Sequence, residues 1–147
     1  MEIAVLGPGD EAKVLAAADL FDDEPTEAWT TAFLAREGHH LVMAFDDGRA
    51  VGFVSGVETI HPDKGVELFV YELGVDEDHR RRGIARALLE RLEAIAVASG
   101  CRGMWVATEP DNVAALATYR SAEYDAPEPC VVLERPIPPA DPSGISP

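Results

Sequence analysis

Residues 71–89 read YELGVDEDHRRRGIARALL. An apolar, strand-like run from Tyr71 to Val75 breaks into an acidic turn, passes three arginines, and opens a helix at Gly83-Ile84-Ala85. The first turn of a helix carries unpaired backbone N–H groups and the positive end of the macrodipole, so an anion is its natural occupant. Arg80, Arg81 and Arg82 are unfavourable at that pole unless something negative sits there. Gly83 lets an anion approach the backbone closely. The stretch therefore predicts a strand, a phosphate-gripping loop and a helix.

Working outward, the helix is predicted from about Gly83 to Ser99, with Ile84, Leu88, Leu92 and Ile95 inward and Gly100 as its stop. Ahead of it lie strands at 40–46, 50–60 and 66–75, the first two joined by Asp46-Asp47-Gly48, a hairpin signal that makes this part of the sheet antiparallel. Residues 2–6 read as a first strand. Gly7-Pro8-Gly9-Asp10 turns into a helix capped by Asp10, whose Val14, Ala17, Ala18 and Phe21 share a face. Thr26 caps a second helix, with Trp29, Phe33 and Leu34 on one face and Gly38 closing it. Downstream, Met104 to Thr108 reads as a buried strand, Asp111 to Ser121 as a helix and Cys130 to Glu134 as a last strand. One domain is expected over residues 1–135, with a proline-rich disordered tail over 136–147.

The chain has 147 residues, enough to bury one core without disulfides or metals. Its 27 Asp+Glu against 12 Lys+Arg argue against nucleic acid and anionic membrane surfaces and favour a cationic small molecule as partner. Cys101 and Cys130 form no CxxC pair and read as free thiols. No signal peptide and no membrane-spanning run is evident, which gives a cytoplasmic expectation. His39, His40, His61 and His79 show no ligand spacing, so no metal is expected.

Arg80-Arg81-Arg82-Gly83-Ile84-Ala85 matches the acetyl-CoA signature Gln/Arg-x-x-Gly-x-Gly/Ala, and Asn112, Ala115 and Tyr119 match a second pattern, Asn-x-x-Ala-x-x-x-Tyr. With the strand order above, the chain resembles the GNAT superfamily of N-acetyltransferases. The resemblance implies an α/β GNAT fold: a mixed, largely antiparallel central sheet splayed at the fourth strand and flanked by about four helices. It implies acetyl-CoA as cosubstrate, held by Leu73, Gly74, Val75, Arg80, Arg81, Arg82, Gly83, Ile84, Ala85, Arg86, Asn112, Ala115 and Tyr119. A strand bulge is expected at Leu73-Gly74-Val75, since a glycine inside a strand marks a bulge or a close backbone approach.

Acetyl transfer to an amine requires deprotonation of the ammonium, stabilisation of an oxyanion and accommodation of the departing thiolate. The resemblance assigns the oxyanion to the amide of Val75 and the thiolate to Tyr119 as general acid. Glu72, a carboxylate in an otherwise apolar strand, is the candidate base, its pKa raised by burial.

Within the superfamily, Ala18-Asp19-Leu20-Phe21, Tyr71-Glu72-Leu73-Gly74-Val75 and His79 to Ala85 resemble the class I aminoglycoside (gentamicin) 3-N-acetyltransferases. That implies acetylation of the 3-amino group of 2-deoxystreptamine by direct attack in a ternary complex, antibiotic resistance, and a homodimer. Asp22, Asp23, Glu24, Glu72, Glu109, Asp111 and Glu134 are the acids expected around a polycationic substrate. A polyamine, a protein or peptide amine, or acyl-CoA binding without catalysis are the other readings. The family usually places Gly where this chain has Glu123; if that turn needs positive φ, Glu there costs on the order of 1 kcal/mol.

Overall fold

A computed structural model describes residues 1–139. Five strands form one sheet in the order β1 (Glu2–Leu6), β2 (His39–Asp46), β3 (Arg49–His61), β4 (Gly65–Val75) and β5 (Met104–Val106). Neighbours are antiparallel from β1 to β4, and β5 joins β4 in parallel. The helices are α1 (Glu11–Ala16), α2 (Glu27–Ala35), α3 (Ile84–Ala98) and α4 (Val113–Ser121). The mixed, largely antiparallel sheet and its four helices agree with the expected architecture.

The sheet is covered on both faces because its strands alternate apolar residues to each side. On one face α3 lays Ile84, Leu88, Leu89 and Leu92 over Val42, Val54, Leu68 and Val70. On the other, Val14 of α1, Ala17 at its C-cap and Leu34 of α2 cover Leu41, Met43 and Phe53. Gly56 permits the close seating of α3, since a Cβ there would lie 2.8 Å from Leu68 Cδ2 and 3.1 Å from Leu92. The Asp46-Asp47-Gly48 hairpin forms as read: Asp47 (φ 47°) and Gly48 (φ 79°) both take positive φ, the condition for a type I′ turn.

Several elements depart from the sequence reading. The first helix stops at Ala16 and continues as a 3-10 turn over Ala18–Leu20. Asp10 occupies the N-cap position without capping: its carboxylate accepts from Gly7 N–H at 3.0 Å and pairs with Lys13 at 2.8 Å. Thr26 does cap α2, accepting from Trp29 N–H at 3.2 Å. Trp29 itself is 77% exposed, because the buried stripe of α2 runs through Thr30 and Leu34 and the preceding residue lies ~100° round the helix. Residues 130–134, expected as a strand, are exposed and irregular. A strand persists only where its backbone finds a ladder partner. β5 offers only three residues, and Pro127, Pro129 and Pro136 shorten what could pair with it. Of the tail, residues 136–139 are exposed and irregular, and the part from residue 140 onward lies outside the described residues.

Candidate active site

The site begins with a phase slip in β4. Ser55 pairs with Glu72 and Gly56 with Val70, which leaves Tyr71 as an extra residue. Leu68 and Val70 face α3, and simple alternation would send Glu72 into that apolar core. The extra residue inverts the phase: Leu73 and Val75 now pack toward α3, and Glu72 turns to the opposite face. The bulge thus falls at Tyr71, three residues before the glycine expected to carry it.

Gly74 has the other role that a strand glycine marks. A Cβ there would stand 2.6 Å from Leu20 O and 2.8 Å from the Phe53 ring, so β4 and the 3-10 turn can meet only without a side chain. Phe21 stacks on Phe53 with centroids 4.0 Å apart, fixing the turn against the sheet. That contact delivers Asp22, whose N–H donates to Glu72 Oε1 at 2.8 Å. Burial pushes the Glu72 carboxyl above the usual carboxylate range; the Asp22 hydrogen bond opposes the shift, and the charges of Asp22 and Asp23 reinforce it. The acids Asp22, Asp23 and Glu72 are therefore brought together, with Glu24 following in the same exposed turn. Glu109 and Asp111 lie in the connection from β5 to α4, and Glu134 is exposed in the irregular C-terminal stretch.

β4 and β5 pair only over Leu68–Val70 with Met104–Val106, so the strands part beyond Val70. Asp76 N–H donates to Val51 O at 2.9 Å, on the β3 side. Successive N–H groups of a strand point to opposite edges, so Val75 and Leu73 present theirs where β5 has ended. A pantetheine chain or a thioester carbonyl finds donors there. Past the loop, Gly83 opens α3 at φ 78° with no capping side chain and no acid in the first turn, which leaves the N–H groups of Ile84, Ala85 and Arg86 available. Arg81 also takes a left-handed φ of 61°. At Gly83 a Cβ would meet nothing within 4 Å, so the glycine serves the backbone angle. Ile84 points into the core and could offer an anion only its main chain. Arg80, Arg81 and Arg82 are exposed, and Arg80 Nε donates to Val75 O at 3.4 Å. These residues fit an acyl-CoA: main-chain donors along the splayed strand, then a cationic helix start for the pyrophosphate.

Asn112 caps α4, its Oδ1 accepting from Ala115 N–H at 3.1 Å. Its side chain and that amide thus serve the helix. The cap sets the start of the helix that carries Tyr119, a half-buried ring packed against the α3 core and 5.3 Å from the Tyr124 ring. Burial raises the Tyr119 pKa, so the phenol holds its proton more tightly than a solvent-exposed tyrosine does. Tyr119 and Glu109 line a cavity of about 1730 Å³ between α3, β5, α4 and the chain after α4.

The sequence reading missed an aromatic group on the Glu72 face. Phe69 lies against Trp105 with centroids 4.2 Å apart and meets Tyr71 edge-on at 5.7 Å. The signal was the i, i+2 spacing of Phe69 and Tyr71 in a strand.

Residues 11–124 match the model of the Acetyltransferase (GNAT) family. The chain belongs to this family. An acetyltransferase of Pectobacterium atrosepticum is 37% identical over 93 residues, covering 63% of this chain and 62% of that protein. The chain thus spans under two thirds of the length of the curated relatives it matches first. Among solved structures, the aminoglycoside acetyltransferase meta-AAC0020 from an uncultured soil metagenomic sample, in complex with sisomicin, superposes with a TM-score of 0.85 at 19% identity, over 92% of this chain and 95% of that one. AAC(6′)-Iy, an aminoglycoside N-acetyltransferase solved with CoA, gives 0.78 at 18% identity over 92% and 100%. At such identities the likeness is one of GNAT fold.

Proposed function

We propose that this protein transfers the acetyl group of acetyl-CoA to an amine of an aminoglycoside by direct attack within a ternary complex. The observation that carries this reading is the raised, half-buried Glu72 carboxylate held beside Asp22 and Asp23, facing the side opposite α3 at the point where β4 and β5 part. A base of raised pKa is suited to taking a proton from an ammonium, and neighbouring carboxylates suit a substrate with several such groups.

In this reading the pyrophosphate lies on the amides of Ile84 to Arg86 under Arg80, Arg81 and Arg82, and the thioester lies along Leu73 to Val75. Glu72, directly or through a water, removes the proton; the amine attacks the thioester carbon; the Val75 N–H stabilises the oxyanion; and Tyr119 protonates the departing thiolate. The resemblance of the Ala18, Tyr71 and His79 segments to the gentamicin enzymes points to the 3-amino group of 2-deoxystreptamine. The 6′-amino group is its competitor, given that a 6′ enzyme shares the fold. Resistance in the cytoplasm is the biological role that follows.

We also propose a homodimer. Val131, Val132 and Leu133 are 82%, 68% and 90% exposed in the stretch after α4, a pattern that a second copy would cover. Sedimentation of the wild type against Leu133→Glu tests this, a single monomeric species for both being the contrary result.

The deciding experiment follows free-thiol release from acetyl-CoA with gentamicin, spermidine and a lysine peptide in parallel, with the product position read by NMR. Turnover with gentamicin alone supports the reading. Turnover with another amine retains the mechanism and removes the antibiotic. CoA binding without any turnover favours a binding module.

A further inference from the structure

A largely buried histidine stands between the Arg80–Gly83 loop and the tip of the β2–β3 hairpin. His79 closes the 3-10 turn Glu77–His79 immediately before Arg80, and its side chain is only 18% exposed. Its Nδ1 is buried and has no hydrogen-bond partner among the described residues. Each ring nitrogen nevertheless faces a carboxylate: Nε2 lies 3.6 Å from Asp46 Oδ2, and Nδ1 lies 3.7 Å from Asp76 Oδ1. A neutral imidazole donates from one nitrogen only and would turn a lone pair toward the other carboxylate, whereas the imidazolium donates from both. Two acids on opposite sides of one ring therefore suit the charged form.

The two acids belong to separate parts of the chain. Asp46 ends β2 at the tip of the β2–β3 hairpin, while Asp76 opens the loop that leads to Gly83. Asp76 is itself fixed: Oδ1 accepts from Asp78 N–H at 3.0 Å, Oδ2 from Arg49 Nη2 at 2.8 Å, and its own N–H reaches Val51 O at 2.9 Å. The charged groups around His79 are thus Asp46 from β2, Arg49 from β3, and Asp76 with the exposed Glu77, Asp78 and Arg80 of its own loop. Both ring distances exceed hydrogen-bonding length, so a small inward movement of the loop would convert charge attraction into two direct bonds.

We propose that His79 is a positioning residue for acetyl-CoA: in its protonated form it staples the Asp76–Gly83 loop to the tip of the β2–β3 hairpin and so sets the pyrophosphate-binding amides and arginines. Loss of its proton opens the staple and weakens coenzyme binding. The inference rests on the acyl-CoA reading of that loop. It also gives a sign opposite to that of the ligand, because phosphate groups of CoA gain charge as pH rises through about 6 and bind a cationic loop more tightly.

The test is calorimetric titration with coenzyme A between about pH 5.5 and 8.5 for the wild type, His79→Gln and Asp46→Asn. The expected result is a wild-type Kd that rises with pH. Both variants should bind about five- to tenfold more weakly at the acid end and lose that rise, a change equivalent to one interaction of modest strength. In steady-state kinetics the loss falls on KM for acetyl-CoA and not on kcat, which a general loss of structure would not produce. Asp46→Asn keeps the histidine, so the proposal stays exposed if His79→Gln folds poorly. A His79→Gln or Asp46→Asn protein with wild-type Kd at every pH overturns the proposal. No binding of CoA by the wild type at any pH overturns the acyl-CoA reading beneath it and the staple with it.

Discussion

The N–H of Asp22 and the Oε1 of Glu72 meet at 2.8 Å across fifty positions of sequence. The bond joins the turn after the first helical segment to the bulged part of β4, so the carboxylate is held by a backbone group and cannot swing to solvent without losing it. Its orientation is thus held in the absence of substrate, which suits the base role proposed for it.

Glu72→Gln should keep this bond, since the amide oxygen can still accept from Asp22, while removing the proposed base. The expected loss is about 10²- to 10⁴-fold in kcat with CoA affinity unchanged. The wild-type acid limb of kcat/KM should lie above the ordinary carboxylate range, and the variant should lack it. Stability moves the other way. A carboxyl whose native pKa is raised favours folding while protonated, and that contribution is lost as pH rises from its unfolded pKa through its native one. The Gln variant should therefore be no less stable than wild type at neutral pH. Rate and thermal melts across pH check both halves.

Gly74→Ala tests the contact beneath that bond. The added methyl would collide with Leu20 O at 2.6 Å and with the Phe53 ring, and one of these is backbone that cannot rotate away. Overpacking of this kind costs about 1–3 kcal/mol, which for a chain of this size lowers Tm by roughly 3–10 °C. Because the turn carries Asp22 and Asp23, KM for the amine should rise more than KM for acetyl-CoA.

How far the sequence disclosed this arrangement depends on the range of the cause. The hairpin at Asp47-Gly48, the cap at Thr26 and the α3 stripe Ile84, Leu88, Leu92 are local in origin and were legible. The bulge was also written, in apolar residues at 66, 68 and 70 that resume at 73 and 75, a phase slip at Tyr71 that a search centred on Gly74 passes over. The role of Gly74 was not legible as such, because it depends on Leu20 and Phe53 arriving from elsewhere. Nor was the absence of a strand at 130–134, whose Val-Val-Leu core has good β propensity but no long ladder partner. Asp10 took the cap position yet was drawn off by Lys13 and Gly7 N–H, local competitors that the capping rule does not weigh.

Arg81 and Arg82 are exposed and form no ion pair among the described residues, so their charge is available to a ligand. Removing one charge-assisted contact to a phosphate costs about 1.5–3 kcal/mol, so Arg82→Ala should raise the Kd for CoA about tenfold to a hundredfold. The effect should shrink in high salt. Arg81→Gly is expected to cost less, since glycine relieves the left-handed backbone at φ 61° while giving up the charge. Titration of CoA at two salt concentrations separates the two.

Glu123 stands one residue past the cap of α4 at φ 65°, in the left-handed region where glycine is the usual residue. Tyr124 N–H donates back to Tyr119 O at 3.0 Å and Glu123 N–H to Arg120 O at 3.2 Å, the paired bonds of a Schellman turn. The Tyr119 and Tyr124 rings supply the apolar contact that accompanies such turns, and burial pushes the Tyr124 phenol up to about 12. The turn therefore keeps its geometry despite the side chain, at a cost in backbone strain rather than in bonds. Glu123→Gly should release about 0.5–1 kcal/mol, less whatever the added freedom of the unfolded chain offsets, and raise Tm by roughly 2–4 °C. Because the bond to Tyr119 O is kept, kcat should stay within about twofold of wild type. A fall in Tm would mean that the left-handed turn is not what holds the end of α4, and that Tyr119 is positioned by core packing alone.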